Sequence, residues 1–206
     1  NLAFAYTYLR ADRTGDQRWA AVAGTAVGLA FFSRPYTAIL FAAPFIVHAL
    51  WTLRGVVRNP TDVLADPPDA LVRQVTTAGL GLTGVAAALW YNAVVTGSPL
   101  TFPYEVFAPL DGLGFGRRQI LDYGITYTPE LAVRANARVL WIYFSQWIAG
   151  GLVGAVLSAV GIAVVVRRGL SARRAALGGL FLSVPLGNIF FWGNLNILGD
   201  IDTAGD

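Results

Sequence analysis

The run from Trp19 to Leu53 carries one formal charge, Arg34, in 35 residues. Built as a single helix it would be roughly 52 Å long, far beyond a hydrocarbon core of about 30 Å, so it has to turn back on itself. The turning point is Ser33-Arg34-Pro35. Proline disfavours the helical region for the residue before it and fits the first position of a new helix. Two segments are therefore expected, about 17–32 and 35–53. The first is short for a full span, which makes the pair either a thin transmembrane hairpin or a re-entrant one, and both forms leave Arg18 and Arg54 on the same side.

Composition carries the same message to the whole chain. Hydrophobic residues make up 55% of the 206 and charged residues 13%, with a mean hydropathy of +0.56. Ordinary soluble domains carry about 25% charged residues, so several membrane spans are expected. The basic residues are all Arg and cluster in short joints between apolar stretches, so the pI near 9.5 points to membrane topology and not to a nucleic-acid partner. Without Cys there is neither a disulfide nor a thiolate metal site, and the single histidine, His48, excludes a His-rich one. Residues 1–9 read as the tail of an apolar helix with no basic segment ahead of them, and the chain has no Met. It is therefore expected to be an internal piece of a longer protein, with residues 1–206 part of one transmembrane domain.

Along the chain, Asp16 is placed to cap the next helix after a polar joint at 10–18. A second polar joint covers 54–74, and an uncharged span runs from about Val75 to Val95. A long loop, about 96–138, follows. Within it Thr128-Pro129-Glu130 is a helix start, with Thr128 as cap and Pro129 at the first position. The segment after it has the spacing of an interfacial helix that presses Leu131, Val133 and Val139 to the lipid boundary. A fourth span lies within 139–166, a basic joint covers 167–174, and a fifth span runs over about 175–192 into an acidic tail. The fold class expected is all-α, a multi-span transmembrane helical bundle with a long outer loop.

Orientation follows from the arginines. Arg10, Arg13, Arg18, Arg54, Arg58, Arg73, Arg167, Arg168, Arg173 and Arg174 fall on one side of alternating spans, and Arg34, Arg117, Arg118, Arg134 and Arg138 on the other. The arginine-rich side is cytoplasmic by the positive-inside rule, which makes the protein a multi-pass plasma-membrane protein with loop 96–138 extracytoplasmic. Small residues four apart, Gly24 with Gly28, Gly84 with Ala88, and Gly150 with Gly154, are placed for close helix contact.

Candidate binding groups concentrate in that loop. Tyr104, Glu105, Asp111, Arg117 and Arg118 follow one another around Gly112, Gly114 and Gly116, and a glycine-rich stretch with two guanidinium groups can surround a phosphate. The alternative is a plain solvated loop. Arg34 stands at the outer end of the first hairpin, where it either meets an anionic lipid phosphate or snorkels from a helix break. His48 is read as structural, and Asn188, Asn194 and Asn196 as helix glue.

Two stretches carry a family resemblance. Residues 28–50, GLAFFSRPYTAILFAAPFIVHAL, resemble the helical hairpin with Arg-Pro at its turn found in polyprenol-phosphate-sugar-dependent glycosyltransferases of the GT-C superfamily, the group of protein mannosyltransferases and the aminoarabinose transferase. Residues 91–118, YNAVVTGSPLTFPYEVFAPLDGLGFGRR, are similar to an outer loop of that family. The resemblance implies transfer of a sugar from a polyprenyl-phosphate donor, as substrate and without a further cofactor or metal assigned, to an acceptor glycan, lipid or protein on the outer face. It also implies a catalytic carboxylate upstream of residue 1. Arg34, Arg117 or Arg118 would then neutralise the departing phosphate, Glu105 and Asp111 would orient sugar hydroxyls, and Tyr104 would stack on a ring. A non-catalytic membrane scaffold, or a lipid or sugar transporter, are the alternatives. Transport coupled to protons normally needs an acid within the spans, and the sequence places none there.

Overall fold

The computed structural model describes residues 1–54, 68–120, 123–147, 151–167 and 169–193. Much of the 54–74 joint, Gly150, Asn194, Asn196 and the acidic tail lie outside the described residues. The chain forms two compact units, Asn1–Pro103 with Ala172–Val184, and Tyr104–Ser171 with Pro185–Asp206.

The first unit holds α1 (Leu2–Thr14), α2 (Gln17–Ser33), α3 (Pro35–Leu53) and α4 (Asp69–Thr96). Local signals set the starts of α2 and α3 and the ends of α1 and α4. The Asp16 side chain accepts from the Arg18 amide at 2.9 Å and caps α2. Arg34 breaks the chain between α2 and α3 at φ −145° and ψ 81°, and Pro35 opens α3. Gly15 and Gly97 end α1 and α4 in left-handed conformations at φ 75° and 80°. Helix α1 reaches Thr14, so Asp12, expected in a polar joint, is instead on a helix.

The contact between α2 and α4 depends on glycine. A Cβ on Gly24 would lie 2.6 Å from the Thr77 carbonyl oxygen, and one on Gly84 would lie 2.4 Å from the Gly28 Cα. Gly24 meets Thr77 and Gly28 meets Gly84, so the two helices run parallel with their backbones touching, as the small-residue spacing predicts. Polar bonds reinforce the seam: Gln17 Nε2 donates to the Thr76 hydroxyl, and Thr77 Oγ1 donates to the Ala20 carbonyl at 3.1 Å. Beside it, Phe4, Tyr8 and Phe45 stack edge to face at centroid distances of 5.1 to 5.9 Å around Ala5, Ala23 and Ala176. Pro44 lies inside α3, and Gly179 makes room for its ring, since a Cβ there would be 2.8 Å from the Pro44 Cβ.

Among the described residues, two helices are long and apolar enough to cross a membrane, α3 at 19 residues and α4 at 28. Only 17% of the most apolar window of each is buried within the chain, the opposite of a soluble core helix. The other expected spans are shorter: α2 has 17 residues, and the apolar part of α7 (Gly151–Arg167) covers Gly151–Val164. The stretch read as a fourth span is divided, with a π-helical turn at Tyr143–Trp147 ahead of α7. Helix α8 (Ala172–Gly187) starts in the first unit and ends in the second.

The second unit contains an element that the all-α expectation did not include. After the short α5 (Pro103–Phe107), β1 (Gly116–Ile120) and β2 (Tyr123–Tyr127) pair antiparallel with Arg117 opposite Thr126 and Arg118 opposite Ile125. Helix α6 (Pro129–Ile142) follows, with Thr128 accepting from the Leu131 amide at 3.3 Å and Pro129 at its first turn. Its apolar stripe is used within the protein: Ala132 and Ala135 are fully buried and Leu131 packs with them against Tyr127 and Trp192. Of the residues expected at a lipid boundary, Val139 is buried as well and Val133 alone stays exposed.

Candidate functional site

The loop of the second unit is a folded structure, and its order comes from three docking bonds to the stretch after α8. The Gly114 amide donates to the Phe190 carbonyl at 2.8 Å, the Tyr127 hydroxyl to the Ile189 carbonyl at 2.9 Å, and the Trp192 indole N–H to Asp111 Oδ1 at 2.8 Å. The Phe115 ring sits 5.7 Å from both Tyr127 and Phe190. Tyr127 and Trp192 are the largest buried side chains of this unit, at 1% and 2% exposure.

Arg118 turns inward. Its guanidinium donates to three carbonyls of the loop before it, Leu113 at 2.6 Å, Phe115 at 3.0 Å and Gly114 at 3.1 Å. These carbonyls take the Nε and Nη2 donors, so that edge of the Arg118 guanidinium holds the glycine loop where the sequence suggested a ligand contact. Gly114 and Gly116 adopt φ of 90° and 111°, which the tight course of the loop around Arg118 requires. Arg117, the next residue on the strand, is exposed.

Tyr104 lies within electrostatic reach of Glu105 and Asp111. Burial pushes the Tyr104 hydroxyl above its usual range, and the nearby carboxylates of Glu105 and Asp111 push the same way, because a phenolate beside them would add like charge. Tyr104 is still about half exposed, so this group is open to a ligand. Arg34 belongs to the first unit, exposed at the α2–α3 break.

No family model, curated protein or solved structure matches this chain.

A second polar group, in the first unit, escaped the sequence reading. His48 is 5% exposed, with Nδ1 3.0 Å from the Tyr8 hydroxyl and Nε2 4.0 Å from Asp12 Oδ2. That carboxylate also binds Arg173 Nε, and Arg173 Nη2 donates to the Asp12 carbonyl at 3.0 Å. Asp12 is only 11% exposed, whereas Arg173 is half exposed. The row Tyr8–His48–Asp12–Arg173 thus runs from a buried hydroxyl to solvent. Its members come from α1, α3 and α8, up to 161 positions apart, and no periodicity in the sequence links them. Among the described residues no group of three or more His, Cys, Asp or Glu side chains is placed to hold a metal ion.

Proposed function

We propose that this chain is part of a membrane glycosyltransferase that moves a sugar from a polyprenyl-phosphate donor to an acceptor on the outer face. The observation that supports it best is the folded loop between α4 and α6. It holds a partly exposed tyrosine within electrostatic reach of two carboxylates and leaves Arg117 facing solvent, residue types that match the aromatic, hydroxyl-orienting and cationic groups a sugar phosphate needs. Glu105 and Asp111 orient sugar hydroxyls in this reading, and either Arg34 or Arg117 is the phosphate partner, since Nε and Nη2 of Arg118 already hold its own loop.

The test is sugar transfer by the full-length protein in lipid from a panel of polyprenyl-phosphate sugars. A charge-assisted hydrogen bond to a phosphate contributes roughly 1.5 to 3 kcal/mol, so Arg34→Gln or Arg117→Gln, whichever removes the phosphate partner, is expected to slow transfer about 10-fold to 150-fold. Lys at that position should restore part of the rate, because it keeps the charge and loses the planar fork. Wild-type rates in both Gln variants would remove the phosphate site, and no transfer from any donor would remove the enzyme reading.

In the same reading the protein is a multi-pass plasma-membrane protein with the loop outside. Single cysteines at Ser98 and Ser171 test that orientation in intact cells. An impermeant thiol reagent is expected to label Ser98→Cys and spare Ser171→Cys; the reverse pattern overturns it.

Transport of a lipid or sugar is the second reading, and one observation favours it. The Asp12–His48 pair places an acid against a helix whose sequence carries none.

A further inference from the structure

His48 is buried, yet both of its ring nitrogens face a polar side chain. We propose that it is a proton-binding site, and that a proton taken up there releases Arg173 from Asp12 and frees the first turn of α8. The inference rests on neither the sugar-transfer nor the transport reading.

Two hydrogen-bond arrangements are open on the Nδ1 side. The Tyr8 hydroxyl lies 3.0 Å from His48 Nδ1 and 3.3 Å from the Phe45 carbonyl oxygen, and its one proton serves one of them at a time. In neutral histidine the Asp12 carboxylate favours the ring proton on Nε2, so Nδ1 accepts from Tyr8. In the imidazolium, Nδ1–H donates to the Tyr8 oxygen, and the hydroxyl proton turns to Phe45. Rotation of one hydroxyl therefore keeps Nδ1 bonded in both charge states. A donor without an acceptor face in place of Tyr8 would instead meet Nδ1–H donor to donor.

The Nε2 side carries the consequence. Asp12 Oδ2 is bonded to Arg173 Nε and lies 4.0 Å from His48 Nε2, so one oxygen stands between two basic groups. An imidazolium brings a second cation to that oxygen, and closing the 4.0 Å gap to hydrogen-bond length draws the carboxylate away from Arg173. Arg173 is the partner that can leave, because it is half exposed and water can take its guanidinium, whereas the His48 side chain is 4% exposed. The bond from Nη2 to the Asp12 carbonyl goes with it, and these two bonds tie the second residue of α8 to α1. Other cations on the packed helices turn elsewhere: Arg10 to Tyr6 and Trp19, Arg54 to Trp51, and Arg73 to the end of α1 at Gly15. The tether is thus complete where histidine is neutral and weakens as pH falls from 8 to 5, the range in which histidine changes charge.

The experiment uses the protein in lipid nanodiscs between pH 8 and pH 5, with two readouts. Isotope-labelled histidine reports the imidazole charge by NMR, with His48→Gln to assign the signal, and a nitroxide on Ala175→Cys, an exposed position in a chain without native Cys, reports the first turn of α8. The imidazole is expected to gain charge as pH falls, and the ratio of mobile to immobile nitroxide to rise about twofold to fivefold, the shift that loss of one exposed ion pair produces. His48→Gln is expected to leave the nitroxide immobile throughout, and Arg173→Ala to leave it mobile throughout. Tyr8→Phe removes the acceptor for the charged ring and is expected to move the nitroxide transition about one pH unit lower, since a hydrogen bond to a charged group contributes more than one to a neutral group. Should His48→Gln fail to fold, Tyr8→Phe and Arg173→Ala decide. An imidazole that keeps one charge state from pH 8 to pH 5, a nitroxide that does not respond when the imidazole charges, an unchanged response in His48→Gln, or a transition that Tyr8→Phe leaves in place would each overturn the proposal.

Discussion

Gly84→Leu is expected to separate α2 from α4 and to destabilise the first unit by at least the upper end of the 1–3 kcal/mol range (about 3 kcal/mol) seen on overpacking a core. The magnitude follows from what the new side chain meets. Even its Cβ would fall 2.4 Å from Gly28 Cα and 2.5 Å from the Gly28 carbonyl oxygen, and backbone cannot rotate aside as a flexible side chain can. The helices must move apart, and the Gln17–Thr76 and Thr77–Ala20 bonds along the seam stretch with them. Gly79→Leu is the matched control, since nothing lies within 4 Å of a Cβ at that site. It should be neutral or mildly stabilising, because glycine inside a helix costs roughly 0.5–1 kcal/mol relative to alanine. Denaturation in mild detergent, followed by helical circular dichroism, separates the two; equal midpoints for both variants would contradict the close contact.

Trp192→Ala should have an effect of similar size in the second unit. Truncating a buried aromatic typically costs about 3–5 kcal/mol, and Trp192 is 2% exposed against Tyr127, Ala132 and Ala135. Asp111 also loses the indole donor at 2.8 Å. Amides of β1, β2 and the glycine loop are expected to exchange rapidly in Trp192→Ala. Trp192→Phe keeps most of the packing and removes the hydrogen bond, so it should fall between wild type and alanine, with a loss of roughly 1–2 kcal/mol. Unchanged protection of residues 116–127 in Trp192→Ala would show that the hairpin does not depend on this contact.

The features legible in the sequence are those fixed by neighbours in the chain. Asp16 and Thr128 cap helices because a short acceptor side chain two or three residues ahead of an open amide needs nothing else. Pro35 and Pro129 open helices for equally local reasons. The glycine seam was legible in kind, since residues four apart share a helix face, although the sequence did not say that α2 pairs with α4. The hairpin was not legible. Gly116-Arg-Arg-Gln-Ile has no clear alternation of apolar residues, and its order depends on Phe190 and Trp192, about 70 positions away. Arg118 shows the same limit: its residue type allowed a phosphate contact, and only the fold shows its Nε and Nη2 bonded to Leu113, Gly114 and Phe115. The sequence placed Asp12 in a joint and His48 alone on a helix, so their meeting through α1 and α3 had no local signal.

Pro44 has a mechanical consequence for α3. A proline inside a helix leaves the carbonyl one turn before it without an amide to meet, so α3, continuous from Pro35 to Leu53, is one backbone bond short at Leu40. The turns before Pro44 start at the exposed Arg34 break, and those after it carry Phe45 and His48 to the Tyr8 ring. A Cβ at Gly179 would lie 2.8 Å from the Pro44 Cβ, so glycine lets α8 close on the proline at this point. The turn of α3 that lacks a bond of its own is thus the one that a second helix braces.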